Sequence, residues 1–134
     1  MRLEITQRAD LAVRALLVLA RSQTRLKSAD LADALGTTPG FVPQVMGPLV
    51  RAGWVRSDPG PTGGYQLTVD LGELSVLQVI EEIDGPTESG RCVVAGGPCE
   101  ARQPCSLHFA WATARHELVT SLGAMSLAEA GVGA

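Results

Sequence analysis

The 134-residue sequence predicts a mainly α-helical fold carrying one small β-hairpin. Two short helical segments meet across a glycine turn, a strand–turn–strand segment follows directly, and a long helical segment stands near the C-terminus. Together these give a winged helix-turn-helix domain plus a long C-terminal helix suited to dimerisation.

The first helix begins after Thr6, which is placed to cap it; Ala9, Val13, Leu16, Leu17 and Ala20 then recur on one face, with Gln23-Thr24 near the end. Ser28 announces a second helix that Gly36 stops, with Leu31 and Leu35 one turn apart. Beyond Gly36-Thr37, the residues Phe41, Val42, Val45, Met46, Leu49 and Val50 form an apolar helical stripe that Gly53 ends. An ordinary helical hairpin shares that local pattern, and the next segment separates the two. Trp54-Val55-Arg56 and Tyr65-Gln66-Leu67-Thr68-Val69 read as strands around a tip rich in proline and glycine, which is a wing. Gly63-Gly64 lacks the spacing and following helix of a phosphate loop. Ser75-Val-Leu-Gln78 is a capping-box pattern for a helix running through Ile80 and Ile83 to Gly85-Pro86.

Residues 86–104 are irregular, a length that inside a small domain goes with function or disorder. After them Leu107, Trp111, Ala114, Leu118 and Met125 fall near one face of a helix of about five turns. So small a chain leaves little to cover that face, and a second subunit is the natural cover. Ser126-Leu-Ala-Glu129 caps a last short helix. The expected organisation is a winged helix-turn-helix over 1–85, a cysteine segment over 86–105, and a dimerisation helix with a short tail over 106–134.

Composition bounds the function. Hydrophobic residues make up 46% and aromatics only 4%, so the core must come from Leu, Val and Ala. The longest apolar run, Ala15 to Ala20, is too short to cross a bilayer, and no signal-peptide pattern precedes it; the reading is cytoplasmic, with no membrane partner. Net charge is −3, divided unevenly: residues 1–70 hold eight Lys/Arg against six Asp/Glu, and residues 71–134 three against eight. A +2 half joined to a −5 half suits one face turned to nucleic acid, since phosphate contacts are local. No serine-hydrolase, phosphate-loop or zinc-protease motif is present, and the histidines are His108 and His116, so the sequence is read as no enzyme.

The three cysteines, Cys92, Cys99 and Cys105, are confined to fourteen residues. An odd, clustered count points away from a disulfide scaffold and towards metal or redox chemistry. Their C-x6-C-x5-C spacing exceeds that of zinc-ribbon knuckles, and the intervening Gly and Pro residues let the backbone wrap a bulky group. Iron–sulfur clusters take thiolates in this way, with three cysteines and one substitute sufficing. A zinc site of three cysteines and one histidine competes with that reading. Cys105 opens the last long helix, where free amides favour a thiolate. His108 lies one turn on, and Asp10, near the start of the first helix, is the other candidate for a fourth ligand.

Taken together, these residues resemble the Rrf-type iron–sulfur winged-helix transcription regulators, the IscR/NsrR family. The likeness runs from Met1-Arg2-Leu3 through Leu127 and includes Ala9-Asp10-Leu-Ala-Val-Arg14, the Gly63-Gly64-Tyr65 wing and the three cysteines before a helix. It implies a homodimer on a pseudo-palindromic double-stranded DNA operator, acting as a repressor that responds to nitric oxide, oxygen or redox stress. It also implies an iron–sulfur cluster, 4Fe–4S ahead of 2Fe–2S, held by Cys92, Cys99 and Cys105. In the NsrR-like branch a carboxylate matching Asp10 reaches the cluster from the partner subunit; in the IscR-like branch, which regulates cluster assembly, the histidine matching His108 completes the site. The sequence carries both, and the Asp10 match leans towards the NsrR-like branch. A zinc-stabilised protein without sequence-specific DNA binding is the other class. Candidate DNA contacts are Ser28, Thr38, Phe41, Gln44, Arg51, Arg56 and Thr62. The chain departs from the family in Pro43 and Gly47-Pro48 within the recognition helix and in Pro59 where the wing usually carries arginine.

Overall fold

The computed structural model describes residues 3–88, 90, 94 and 105–132. Cys92 and Cys99 lie outside the described residues.

Helix α1 (Gln7–Arg21) is the centre of the fold. Thr6 caps it, its hydroxyl accepting the Ala9 N–H at 3.1 Å. One face buries Ala9, Leu11, Ala12, Ala15, Leu16 and Leu19. Helix α2 (Ser28–Leu35) packs on α1 through Leu31, Ala32 and Leu35 and stops at Gly36, whose φ of 68° is left-handed. Ser28 is the first helical residue rather than the cap. The cap position belongs to Lys27, whose backbone N–H donates to the Asp30 carboxylate at 3.2 Å.

Helix α3 (Val42–Arg51) buries Val42, Val45, Met46 and Leu49. Starting at Val42 puts Pro43 in the first turn, where a missing N–H breaks no helical bond. Pro48 stands inside the helix, and its carbonyl still accepts the Ala52 N–H at 2.9 Å.

Strands β1 (Val55–Asp58) and β2 (Gly64–Leu67) pair antiparallel with Val55 opposite Leu67 and Asp58 opposite Gly64. Both strands sit nearer the tip than the apolar pattern indicated, because backbone pairing continues through the polar residues Ser57 and Asp58. The segment between α1 and α2 adds a third, one-residue edge: Leu26 exchanges both backbone hydrogen bonds with Tyr65, at 2.8 and 3.0 Å. That edge accounts for Gly64. Its φ is 134°, and a Cβ there would lie 2.8 Å from the Leu26 carbonyl oxygen.

Helix α4 (Val76–Asp84) opens on the Ser75/Gln78 capping box, with reciprocal bonds of 3.1 and 2.8 Å. Helix α5 (His108–Ala124) is the long helix; none of its residues is buried, so its apolar side chains make no stripe sunk into this chain's core. Helix α6 (Leu127–Val132) returns to the body, where Leu127 is fully buried and donates its N–H to the Leu74 carbonyl at 2.9 Å. The tail thus completes the same core that α1 organises.

Leu127→Ala removes a fully buried side chain at the end of the chain and is expected to lower the unfolding free energy by about 2–5 kcal/mol, read by urea denaturation. A loss below about 1 kcal/mol would show that α6 is dispensable to the core.

Candidate functional site

The glycine turn after α2 and the early start of α3 leave one edge of α3 facing outward. Pro43, Gln44 and Arg51 are exposed on it, while Gly47 between them has no side chain. Arg51 lies back over that glycine, its Nη1 3.3 Å from where a Cβ would stand. The outward edge therefore offers a carboxamide and a guanidinium, the two groups that pair bidentately with adenine and guanine edges. Thr38 is exposed in the turn before α3, and its carbonyl accepts the Phe41 N–H at 3.0 Å. Phe41 is half-buried against the core, which fits a packing side chain; Ser28, half-buried, opens α2. Thr62 is exposed at the wing tip, and Arg56 is exposed on β1.

At the root of the wing three charges meet. Asp58 Oδ2 is shut off from solvent and lies 3.1 Å from both Arg25 Nη2 and Arg56 Nε. Arg25 also reaches Thr62 O at 3.5 Å and Gln66 Oε1 at 3.4 Å. Sequence reasoning missed Arg25: it precedes a one-residue edge strand too short to leave a periodic signal.

The cysteine end is built differently. Cys105 is half-buried just before α5, and its carbonyl accepts the His108 N–H at 3.0 Å. His108, also half-buried, meets Phe109 edge-on with ring centres 5.1 Å apart. Arg115 pairs with Glu88 at 3.1 Å and ties the segment leaving α4 to α5. A hydrogen bond from the Gly90 N–H, then that guanidinium, holds the Glu88 carboxyl below its ordinary range. Asp10 stands on the first turn of α1 with its side chain 53% exposed, 3.6 Å from Arg14. Among the described residues no three His, Cys, Asp or Glu side chains gather at one point.

Along α5, Phe109 is 73% exposed and Leu118 40%. A groove of about 660 Å³ beside Leu118 is lined by Leu3, Thr87, Trp111, Ala114 and Leu118 together with Arg115, Glu117 and Ser121. No described helix is long and apolar enough to cross a membrane.

The model of the Rrf2 family, "Iron-dependent Transcriptional regulator", matches residues 5–130. The chain belongs to the Rrf2 family. Its relatives include the HTH-type transcriptional regulator IscR of Klebsiella pneumoniae, 31% identical over 129 residues that cover 95% of this chain and 78% of that one. IscR of Xenorhabdus nematophila is 32% identical over 101 residues, 75% of this chain and 61% of that one. Among solved structures, CymR, the global cysteine regulator of B. subtilis, superposes with a TM-score of 0.80 at 18% identity, covering 99% of both chains. T. potens IscR superposes with a TM-score of 0.70 at 19% identity, over 95% of this chain and 85% of that one. These likenesses agree with the helical body and two-stranded wing. The Rrf2 protein is a DNA-binding transcriptional regulator and not an enzyme.

Proposed function

We propose that this Rrf2 protein is a cytoplasmic, homodimeric iron–sulfur repressor that reads a pseudo-palindromic operator and loses affinity for it on exposure to nitric oxide or redox stress. The observation carrying the proposal is the placement of the donors. Three thiols fall in the segment that ends at the first turn of α5, while the carboxylate of Asp10 is exposed on the helix that organises the DNA-reading body.

The donor set fits a cluster. Cys105 is half-buried just before α5, its carbonyl accepting the His108 N–H, and the other two thiols lie within thirteen residues before it in the sequence. Cys92, Cys99 and Cys105 of one subunit would hold it, with Asp10 of the other as fourth ligand. When bound, the cluster supplies iron open to nitric oxide or oxygen, 4Fe–4S being the favoured type. The rest is the work of the chain. Asp10 is rigid on α1, and α1 packs on α2, α3 and β2. Holding or freeing Asp10 therefore bears on the whole reading surface. Operator half-sites need centres about one helical turn apart, so a small change in the separation of two α3 helices costs affinity. Couplings of this kind run to about 1–3 kcal/mol. The exposed Phe109 and Leu118 and the groove beside Leu118 favour α5 as the dimer face.

His108 supports a second reading. It is half-buried one turn beyond Cys105, and relatives matching this chain are named IscR. With His108 as ligand, cluster supply becomes the signal.

Anaerobic purification should give a coloured protein with iron and sulfide counted per chain; a colourless protein with zinc would defeat the cluster reading. Cys92→Ala, Cys99→Ala and Cys105→Ala should each abolish the visible absorption. Asp10→Ala should alter the spectrum and blunt the nitric oxide response while His108→Ala stays nearly silent; the reverse pattern selects the IscR-like reading. On DNA, Gln44→Ala is expected to reduce discrimination between operator and random duplex by about 1–3 kcal/mol, measured by fluorescence anisotropy. Arg56→Ala should weaken both duplexes alike, and equal losses for the two variants on both would refute this division.

A further inference from the structure

The wing of this protein has an anomaly that the structure resolves. Its tip, Pro59-Gly60-Pro61-Thr62-Gly63, contains no cation, although a wing lies where duplex phosphates pass. The positive charge stands instead at the wing's root, from two separate elements. Arg56 comes from β1, and Arg25 comes from the segment between α1 and α2, brought alongside by the Leu26–Tyr65 pairing. In that extended stretch Leu26 turns inward, and its neighbours Arg25 and Lys27 are exposed.

We infer that Arg25 is a phosphate-contacting residue of the DNA interface, the second cation of the wing, set in place by Asp58 beside Arg56. The inference rests on the DNA-binding reading of α3 and the wing. Asp58 carries one negative charge against two guanidiniums at 3.1 Å, so the cluster keeps a net charge of +1. Without the carboxylate, two like charges so close would repel; with it, both are gathered on one ridge. Arg25 is not spent by its internal contacts. Its bonds to Thr62 and Gln66, at 3.5 and 3.4 Å, are long, its side chain is 37% exposed, and its contact with Asp58 Oδ2 is an ion pair without a formed hydrogen bond, so two of its five N–H groups are engaged. Arg56 uses Nε on Asp58, and among the described residues its terminal nitrogens are not engaged. A guanidinium needed only to clip the wing would be buried with shorter bonds. Two half-exposed forks side by side, each with N–H groups to spare, match the bidentate demand of phosphate oxygens.

The test is the salt dependence of binding to a labelled random-sequence duplex by the full chain, for wild type, Arg25→Gln and Arg25→Lys, with thermal melting of each. Each phosphate contact contributes about 0.9 to the slope of log K against log salt. Arg25→Gln should make the slope shallower by about that amount per engaged chain, and Arg25→Lys, which keeps the charge and loses the fork, should retain it. If Arg25→Gln keeps the wild-type slope, or if both variants lose melting temperature equally and keep the slope, Arg25 is a structural clip and the inference falls alone. Should Arg25→Gln not fold, a shallow slope in a folded Arg25→Lys would likewise overturn the charge argument. A wild type that binds no duplex overturns the DNA-binding reading and this inference together.

Discussion

Everything in this molecule is arranged around the buried face of α1. Ala9, Ala12 and Ala15 are fully buried there, and side chains so small let neighbouring helices approach the backbone closely. Helices α2, α3, α4 and α6 and strand β2 all pack on this helix, so the exposed edge of α3, the wing and the root of the cysteine segment share one support. Among the described residues no aromatic ring is fully buried, and Phe41, Trp54 and Tyr65 pack only against the margin of the core. Close packing of Leu, Val and Ala fills its centre, and Leu127 closes the core from the far end of the chain.

Much of this was legible in the sequence because it rests on local rules. The Thr6 cap, the Gly36 stop and the Ser75/Gln78 box each depend on residues within one turn, and each forms. What escaped depends on residues far apart in the chain. Leu26 pairs with Tyr65 across 39 positions, and nothing in Arg25-Leu26-Lys27 announces a strand. Arg25 was hidden for the same reason: its meaning comes from Asp58, to which only the folded wing introduces it. The glycine pair 63–64, readable from sequence as a turn, is required for a tertiary reason. A Cβ on Gly63 would fall 2.0 Å from the Asp58 carbonyl oxygen, and one on Gly64 would meet Leu26.

The net charge of −3 looks ill-suited to a DNA-binding protein until it is placed in space. Arg25, Lys27, Arg51 and Arg56 belong to the helix-turn-helix and wing, whereas Glu81, Glu82, Asp84 and Glu88 cluster where α4 runs into the cysteine segment. Counterion release depends on the cations that meet phosphates, so a negative total does not by itself count against a basic face. Helix α3, the proposed recognition helix, follows the same economy. Pro43, Gly47 and Pro48 contribute no hydrogen-bonding side chains, which concentrates any base reading in Gln44 and Arg51.

The acidic end also ties the start of α1 to the root of the cysteine segment. Thr6 donates both its backbone N–H and its hydroxyl to the Asp84 carboxylate, and Arg8 Nη2 donates to the Ile83 carbonyl at 3.0 Å. The N-terminus of α1, one turn before Asp10, is thereby bound to the last turn of α4, from which the cysteine segment departs. Within one chain, then, Asp10 and the root of that segment are fixed to the same body. Under the proposed cluster reading, a rearrangement of the thiols would therefore act at the other end, where Cys105 leads into α5, and at the Asp10 carboxylate of a second subunit. With α5 carrying no buried residue of its own, a homodimer formed through it would pass such a change between subunits rather than through the core of one. In a homodimer of the proposed kind, a change at the cysteines would alter the separation of the two DNA-binding heads while leaving each head intact.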